Sequence, residues 1–139
     1  MAAAMKYAQS RLCPPVLGQY AAIGALDTPQ EYFDETVVEY IKRRDCAVDM
    51  LNAMPGVYAP RPKGAFYTIA ELPVDNAENF VQWMLSEFRM DGATTMVTPV
   101  SSFYKTEGEG LKQVRVAYVL EVPELKKAME ILAAGLKAY

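Results

Sequence analysis

The sequence predicts an α/β (α+β) domain of two layers, a small mixed or antiparallel sheet with helices packed on one face. Three observations lead there. Apolar residues recur at helical spacing from Phe33 to Leu51 and again from Leu125 to Leu136. Between these segments "AFYTIAEL", "TTMVTP" and "QVRVAYVL" are rich in β-branched and aromatic residues, as strands are. A capped helical segment separates the first two, so helices and strands interleave.

Taken in order, Ala2 to Leu12 is alanine-rich and helix-prone until Pro14-Pro15 breaks it, and a second helix is expected from Val16 to Leu26. In "DTPQEYF", Thr28 can cap, Pro29 suits a first helical turn and Glu31 completes a capping box. The helix that follows aligns Phe33, Val37, Tyr40, Val48 and Leu51 on one face, interrupted by Arg44, and stops at Pro55-Gly56. "VYAP" and "AFYTIAEL" read as two short strands around the "RPKG" turn. Asp75 and Glu78 offer a capping pair for a helix over Asn76–Met90, with Phe80, Met84 and Phe88 on one face. "TTMVTP" is a strand halted by Pro99, "VSSFYKTEGEGLK" a loop, and "QVRVAYVL" a strand. Pro123 opens a last helix striped by Leu125, Ala128, Met129, Leu132 and Leu136.

With 139 residues, 52% of them apolar, and no repeat or linker, residues 1–139 are expected to form a single domain. The net charge of −3 and the scattered basic residues point away from nucleic acid and anionic membranes. No run reaches the roughly 20 apolar residues of a membrane span, and no signal peptide is recognisable, so a cytoplasmic location is expected. Cys13 and Cys46 form neither a zinc framework nor a C-x-x-C pair, and two reduced, half-buried thiols are expected, with no metal site. The chain has no histidine, which excludes imidazole-based triads within it.

One charge stands out. In "QVRVAYVL", strand alternation puts Arg115 on a face with Ala117 and Val119, opposite Val114, Val116 and Tyr118. Such an arginine either lies along a partly exposed edge, its stem covering apolar surface, or presents its planar fork to a carboxylate or phosphate. The Ser/Gly-rich loop before it is a usual place for a ligand to approach.

"PRPKGAFYTIAELP" (Pro60–Pro73), "VTPVSSFYKTEGEG" (Val97–Gly110) and "VRVAYVL" (Val114–Leu120), in this order, resemble the C-terminal small domain of the fold-type I, pyridoxal-phosphate-dependent aminotransferases of classes I and II. The likeness is strongest to aspartate-aminotransferase-like members. "PPVLGQYAAIGAL" (Pro14–Leu26) resembles the segment that enters that domain, so residues 1–27 are expected to be entering helices. The resemblance implies that Arg115 binds the α-carboxylate of an amino acid or 2-oxo acid substrate. It also implies that Phe66, Tyr67, Phe103 and Tyr104 border the pocket, unless they are ordinary core or rim packing. Two positions depart from the family pattern: Val100 where a small residue is usual, and Glu107 where a proline is frequent.

The family's Schiff-base lysine has no counterpart among the eight lysines here, at 6, 42, 63, 105, 112, 126, 127 and 137. The resemblance therefore implies a C-terminal part of a transaminase that supplies no catalytic residue and does not hold pyridoxal 5'-phosphate by itself. Leu12, Val16, Leu17 and Ile23 would lack a covering surface, so a homo-oligomer is expected. A free-standing α/β module that binds carboxylates or oligomerises is the competing reading. A β-lyase or carbon–carbon synthase of the same fold type is a weaker third.

Overall fold

In the computed structural model, which describes residues 2–10 and 13–139, strand β3 (Gln113–Ala117) is the axis of the sheet. It pairs antiparallel with β1 (Tyr67–Glu71) on one side and β2 (Thr98–Pro99) on the other, giving the order β1-β3-β2. The register sets Ile69 and Thr98 on either side of Arg115. Burial alternates as the pleat requires. Val114 and Val116 are buried together with Thr68 and Ala70 of β1, whereas Arg115, Ala117, Tyr67 and Ile69 face outward.

Three helices cover the inner face: α3 (Gln30–Asn52), α4 (Ala77–Ser86) and α5 (Val122–Ala138). Their buried residues, among them Leu51, Phe80, Met84, Leu125, Met129 and Leu132, form one cluster with Ala70, Val114, Val116 and Tyr118. Each large side chain removed from water there contributes about 1.5–3 kcal/mol. Leu132, fully buried, would leave a cavity on truncation to alanine at a cost of about 2–5 kcal/mol. The expected two-layer α/β fold with helices on one face is what the chain adopts, and the sheet is wholly antiparallel.

The chain divides into two compact units, Met1–Thr36 and Val37–Tyr139. The first contains α1 (Ala2–Ser10), α2 (Val16–Leu26) and the start of α3. Helix α2 has the predicted bounds but buries none of its residues, although its eleven positions carry no charge. Leu12 lies outside the described residues. No helix is long and apolar enough to cross a membrane among the described residues.

Several elements are shorter than the sequence predicts, each for a local reason. Helix α4 stops at Ser86, not Met90, because Arg89 turns back on the helix end and donates to the carbonyls of Met84, Leu85 and Phe88. Asp91 and Gly92, both at positive φ, then reverse the chain between paired Met90 and Ala93. The cap of α4 is Asn76, whose side chain accepts from the N–H groups of Glu78 and Asn79, and not Asp75. "VYAP" contributes only a bridge between Tyr58 and Glu71, since Ala59 is bound on both backbone groups by the Asn52 amide and Pro60 has no N–H to give. In "TTMVTP" only Thr98 and Pro99 reach β3, and the hydroxyls of Thr94 and Thr95 tie the start of the segment to the carbonyls of Met84 and Ala128. Strand β3 ends at Ala117, short of Leu120, as its partner turns away at Ala65, which sits at φ 62°. The predicted α3 stripe is buried only in its second half. Val48 and Leu51 are buried, while Phe33 and Val37 are exposed.

Candidate functional site

Arg115 occupies the middle of the central strand, so the edge-strand explanation for it does not hold. Both neighbouring strands fix its backbone, and alternation sends its side chain to the face away from the core. There the guanidinium carbon lies 5.5 Å from the centroid of the Tyr67 ring and 5.7 Å from that of Phe103. Both distances are within cation–π reach. Arg115 has no ion-pair partner among the described residues. Arg115 is thus a half-buried cation flanked by two aromatic rings, and a guanidinium's planar fork is of a shape that can meet a carboxylate at two points.

The four aromatic candidates separate by what they touch. Tyr67 and Phe103 flank Arg115 directly. Phe66 meets Tyr67 edge-on, with ring centroids 5.7 Å apart and planes at 86°, and so stands one residue back from the guanidinium. Tyr104 points elsewhere, its hydroxyl donating to Gln113 Oε1 at 2.8 Å. None of the four is buried, which rules out core packing as their explanation.

A cleft of about 360 Å³ opens beside Arg115 where the segments 94–98 and 117–120 diverge, floored by Leu125, Ala128 and Met129 of α5. Val100, a departure from the family pattern, is buried and donates its N–H to Gln113 O at 3.2 Å.

The approach to β1 is held by a network that the local sequence pattern did not reveal. Tyr118, buried just past the end of β3, donates its hydroxyl to Ala65 O at 3.2 Å and its N–H to Phe66 O at 2.9 Å. Burial pushes the Tyr118 hydroxyl above its ordinary pKa of 10.0, an effect the Arg44 charge partly offsets. Arg44 donates to Pro62 O at 3.2 Å and to Asp45 at 2.8 Å, and Arg61 bridges Asp45 and Asp49. The hydrogen bond from Arg44, with a further one from Arg61, holds the Asp45 carboxyl below its ordinary 3.8 against the opposing pull of burial. Asp45 and Asp49 share a helix face by spacing, but only the folded chain brings Arg61 to them.

All eight lysines are exposed, and none lines the cleft beside Arg115. Cys46 is half-buried as expected; Cys13 is exposed, just before Pro14-Pro15, in a stretch whose following helix α2 buries none of its residues.

The sequence model of the family described as "Aminotransferase class I and II" matches residues 1–132. The chain is 30% identical over 142 residues to an aspartate aminotransferase of Rhizobium meliloti (strain 1021), covering 96% of the chain and 33% of that protein. It is 37% identical over 115 residues to an LL-diaminopimelate aminotransferase of Desulforudis audaxviator, covering 82% of the chain and 27% of the relative. Among solved structures, an alanine aminotransferase from Pyrococcus furiosus superposes with a TM-score of 0.76 at 29% identity, over 96% of this chain and 33% of that one. The chain thus spans about a third of the length of the relatives it matches. From the family match and the shared fold, the chain belongs to the class I and II aminotransferases.

Proposed function

We propose that this chain is the small, substrate-binding domain of a transaminase, with residues 1–27 as its entering helices and Arg115 as the receptor for the substrate's α-carboxylate. The reaction is the reversible transfer of an amino group between an amino acid, aspartate first among the candidates, and a 2-oxo acid. The observation that carries this reading is the Arg115 guanidinium, rigid in the central strand, flanked by Tyr67 and Phe103 and without an acidic partner among the described residues. A two-point ion pair at that fork would fix the orientation of the amino acid, which is what positions its amine for reaction. Phe66 supports Tyr67 at the rim, and Tyr104 supports the loop.

Pyridoxal 5'-phosphate is the cofactor this reading implies, and when bound it serves as the electron sink and amine carrier. The residues of this chain do not fit it. A Schiff-base lysine is desolvated or otherwise tuned, whereas each lysine here is exposed. In this reading the cofactor is held by residues other than these, and the chain alone is inactive.

Self-association is the second element of the proposal. Val16, Leu17, Tyr20, Ile23 and Leu26 of α2 are all more than 60% exposed on an uncharged helix, the kind of surface that association buries. Sedimentation at increasing concentration should show a mass above that of the monomer; a monomer throughout would remove this element.

The test of the main reading is a titration of the chain with L-aspartate and with 2-oxoglutarate, followed at the Arg115 Nε–Hε resonance. Both should move it. If Arg115→Lys binds either ligand as tightly as the native chain does, the two-point contact is wrong.

A further inference from the structure

The loop between β2 and β3 is closed on itself at its base. Val100 N–H donates to Gln113 O at 3.2 Å, and Gln113 N–H to Gly110 O at 3.0 Å. Inside it a 3-10 turn, Ser101–Phe103, is held by Phe103 N–H on Val100 O at 2.9 Å, and Tyr104 N–H follows on Ser101 O at 3.3 Å. Tyr104 is then fixed by its side chain. Its hydroxyl reaches Gln113 Oε1, on the strand two residues before Arg115 and on the same face. Its ring rests on Gly110, where a Cβ would lie 2.6 Å from two ring carbons. Gly110 also sits at φ +70°, so glycine is required there both for the turn and for the ring.

Phe103, next in the chain, is 61% exposed, and little of its own packing could hold it over Arg115. Ordering an exposed ring costs conformational entropy, and that cost falls when the backbone beside it is already pinned. A ring whose centroid lies 5.7 Å from the guanidinium carbon limits the directions in which the fork can swing.

We infer that Tyr104 is a positioning residue: held by Gln113 and seated on Gly110, it fixes the Ser101–Phe103 turn so that Phe103 covers Arg115 and orients its fork toward an incoming carboxylate. The last step rests on the carboxylate reading of Arg115; the geometry of the latch does not.

The experiment uses the ¹⁵N-labelled full chain, with the Arg115 Nε–Hε signal assigned by its loss in Arg115→Lys. Phe103→Leu should remove the upfield ring-current shift that Phe103 imposes on this signal. Tyr104→Phe, which deletes one partly exposed hydroxyl and leaves the core intact, should lose most of that same shift. Gln113→Leu should do likewise. Sodium acetate is the carboxylate probe, and its apparent affinity should fall several-fold in Tyr104→Phe. If Phe103→Leu moves the Arg115 signal and Tyr104→Phe leaves it in place, Tyr104 positions nothing. The latch is equally overturned if Phe103→Leu itself has no effect. If the ring-current pattern holds but acetate moves no native signal, the latch stands and the carboxylate reading fails. If acetate binds native chain and Tyr104→Phe equally, with unchanged shifts, the latch fails and the carboxylate reading stands.

Discussion

The Arg115 guanidinium carbon stands 5.5 Å from the centre of the Tyr67 ring, a diagonal contact across the β1–β3 ladder. Tyr67 pairs with Ala117 and Arg115 with Ile69, so the two side chains lean toward each other over a small residue that leaves room for both. Exposed cation–π contacts are worth about 0.5–1 kcal/mol. Tyr67→Leu should therefore lower stability in urea by about that amount, and Tyr67→Phe should keep most of it. Equal losses in the two variants would assign the effect to the hydroxyl, not the ring.

Two glycine-to-alanine substitutions should differ in sign. Gly110→Ala meets the Tyr104 ring and takes a residue with a Cβ to φ +70°, and strain of this kind costs about 1–3 kcal/mol. Gly64 has ordinary φ and open space around it, so alanine there should be neutral or stabilising by about 0.4–1 kcal/mol through the unfolded chain. Chemical denaturation of both variants distinguishes the outcomes.

Asp45 should make stability depend on acid. Its carboxyl is held below 3.8 in the folded chain, first by the Arg44 hydrogen bond. A group with a lowered folded pKa stabilises above its unfolded value, and that contribution disappears as pH falls through the folded one. Asp45→Asn should thus differ from the native chain at pH 7 and converge with it below about pH 4. Both partners are only half-buried and remain open to solvent, so the difference should be small and shrink with added salt. Thermal melts across that pH range measure it.

Tyr118 should act at the other end of the scale. Its pKa is raised above 10.0 by burial, so its contribution is complete below pH 10 and is lost as pH climbs through the folded value. At neutral pH, Tyr118→Phe loses the bond to Ala65 O, worth about 0.5–1.5 kcal/mol. Above pH 10 the native chain weakens and the gap to the variant should close. A gap that stays constant up to pH 11 would mean that the hydroxyl does not titrate with unfolding.

Local chemistry made much of this molecule legible from its residues. The period-two pattern around Arg115 foretold which side chains of β3 would be buried, because a pleated strand offers only two faces. Pro14-Pro15 and the uncharged run after them marked α2 to the residue. The Asp91-Gly92 pair was an available signal for the turn that cuts off the region after α4, one that the apolar spacing of Phe80, Met84 and Phe88 overshadowed. "TTMVTP" misled because the Thr94 and Thr95 hydroxyls tie its first half to the carbonyls of Met84 and Ala128, and nothing local says where those carbonyls will be.

By itself the sequence determined the two-layer α/β class, the helix that follows the double proline and the outward aim of Arg115, all consequences of spacing along a chain whose backbone has few allowed shapes. Only the tertiary structure decided that this arginine lies on the central strand, that Tyr67 and Phe103 flank it while Tyr104 turns to Gln113, and that Arg61 closes on Asp45 and Asp49. Those relations join residues far apart in the chain. They depend on strand order and on how a loop returns to its base, quantities set by packing as a whole and not by any local run of residues.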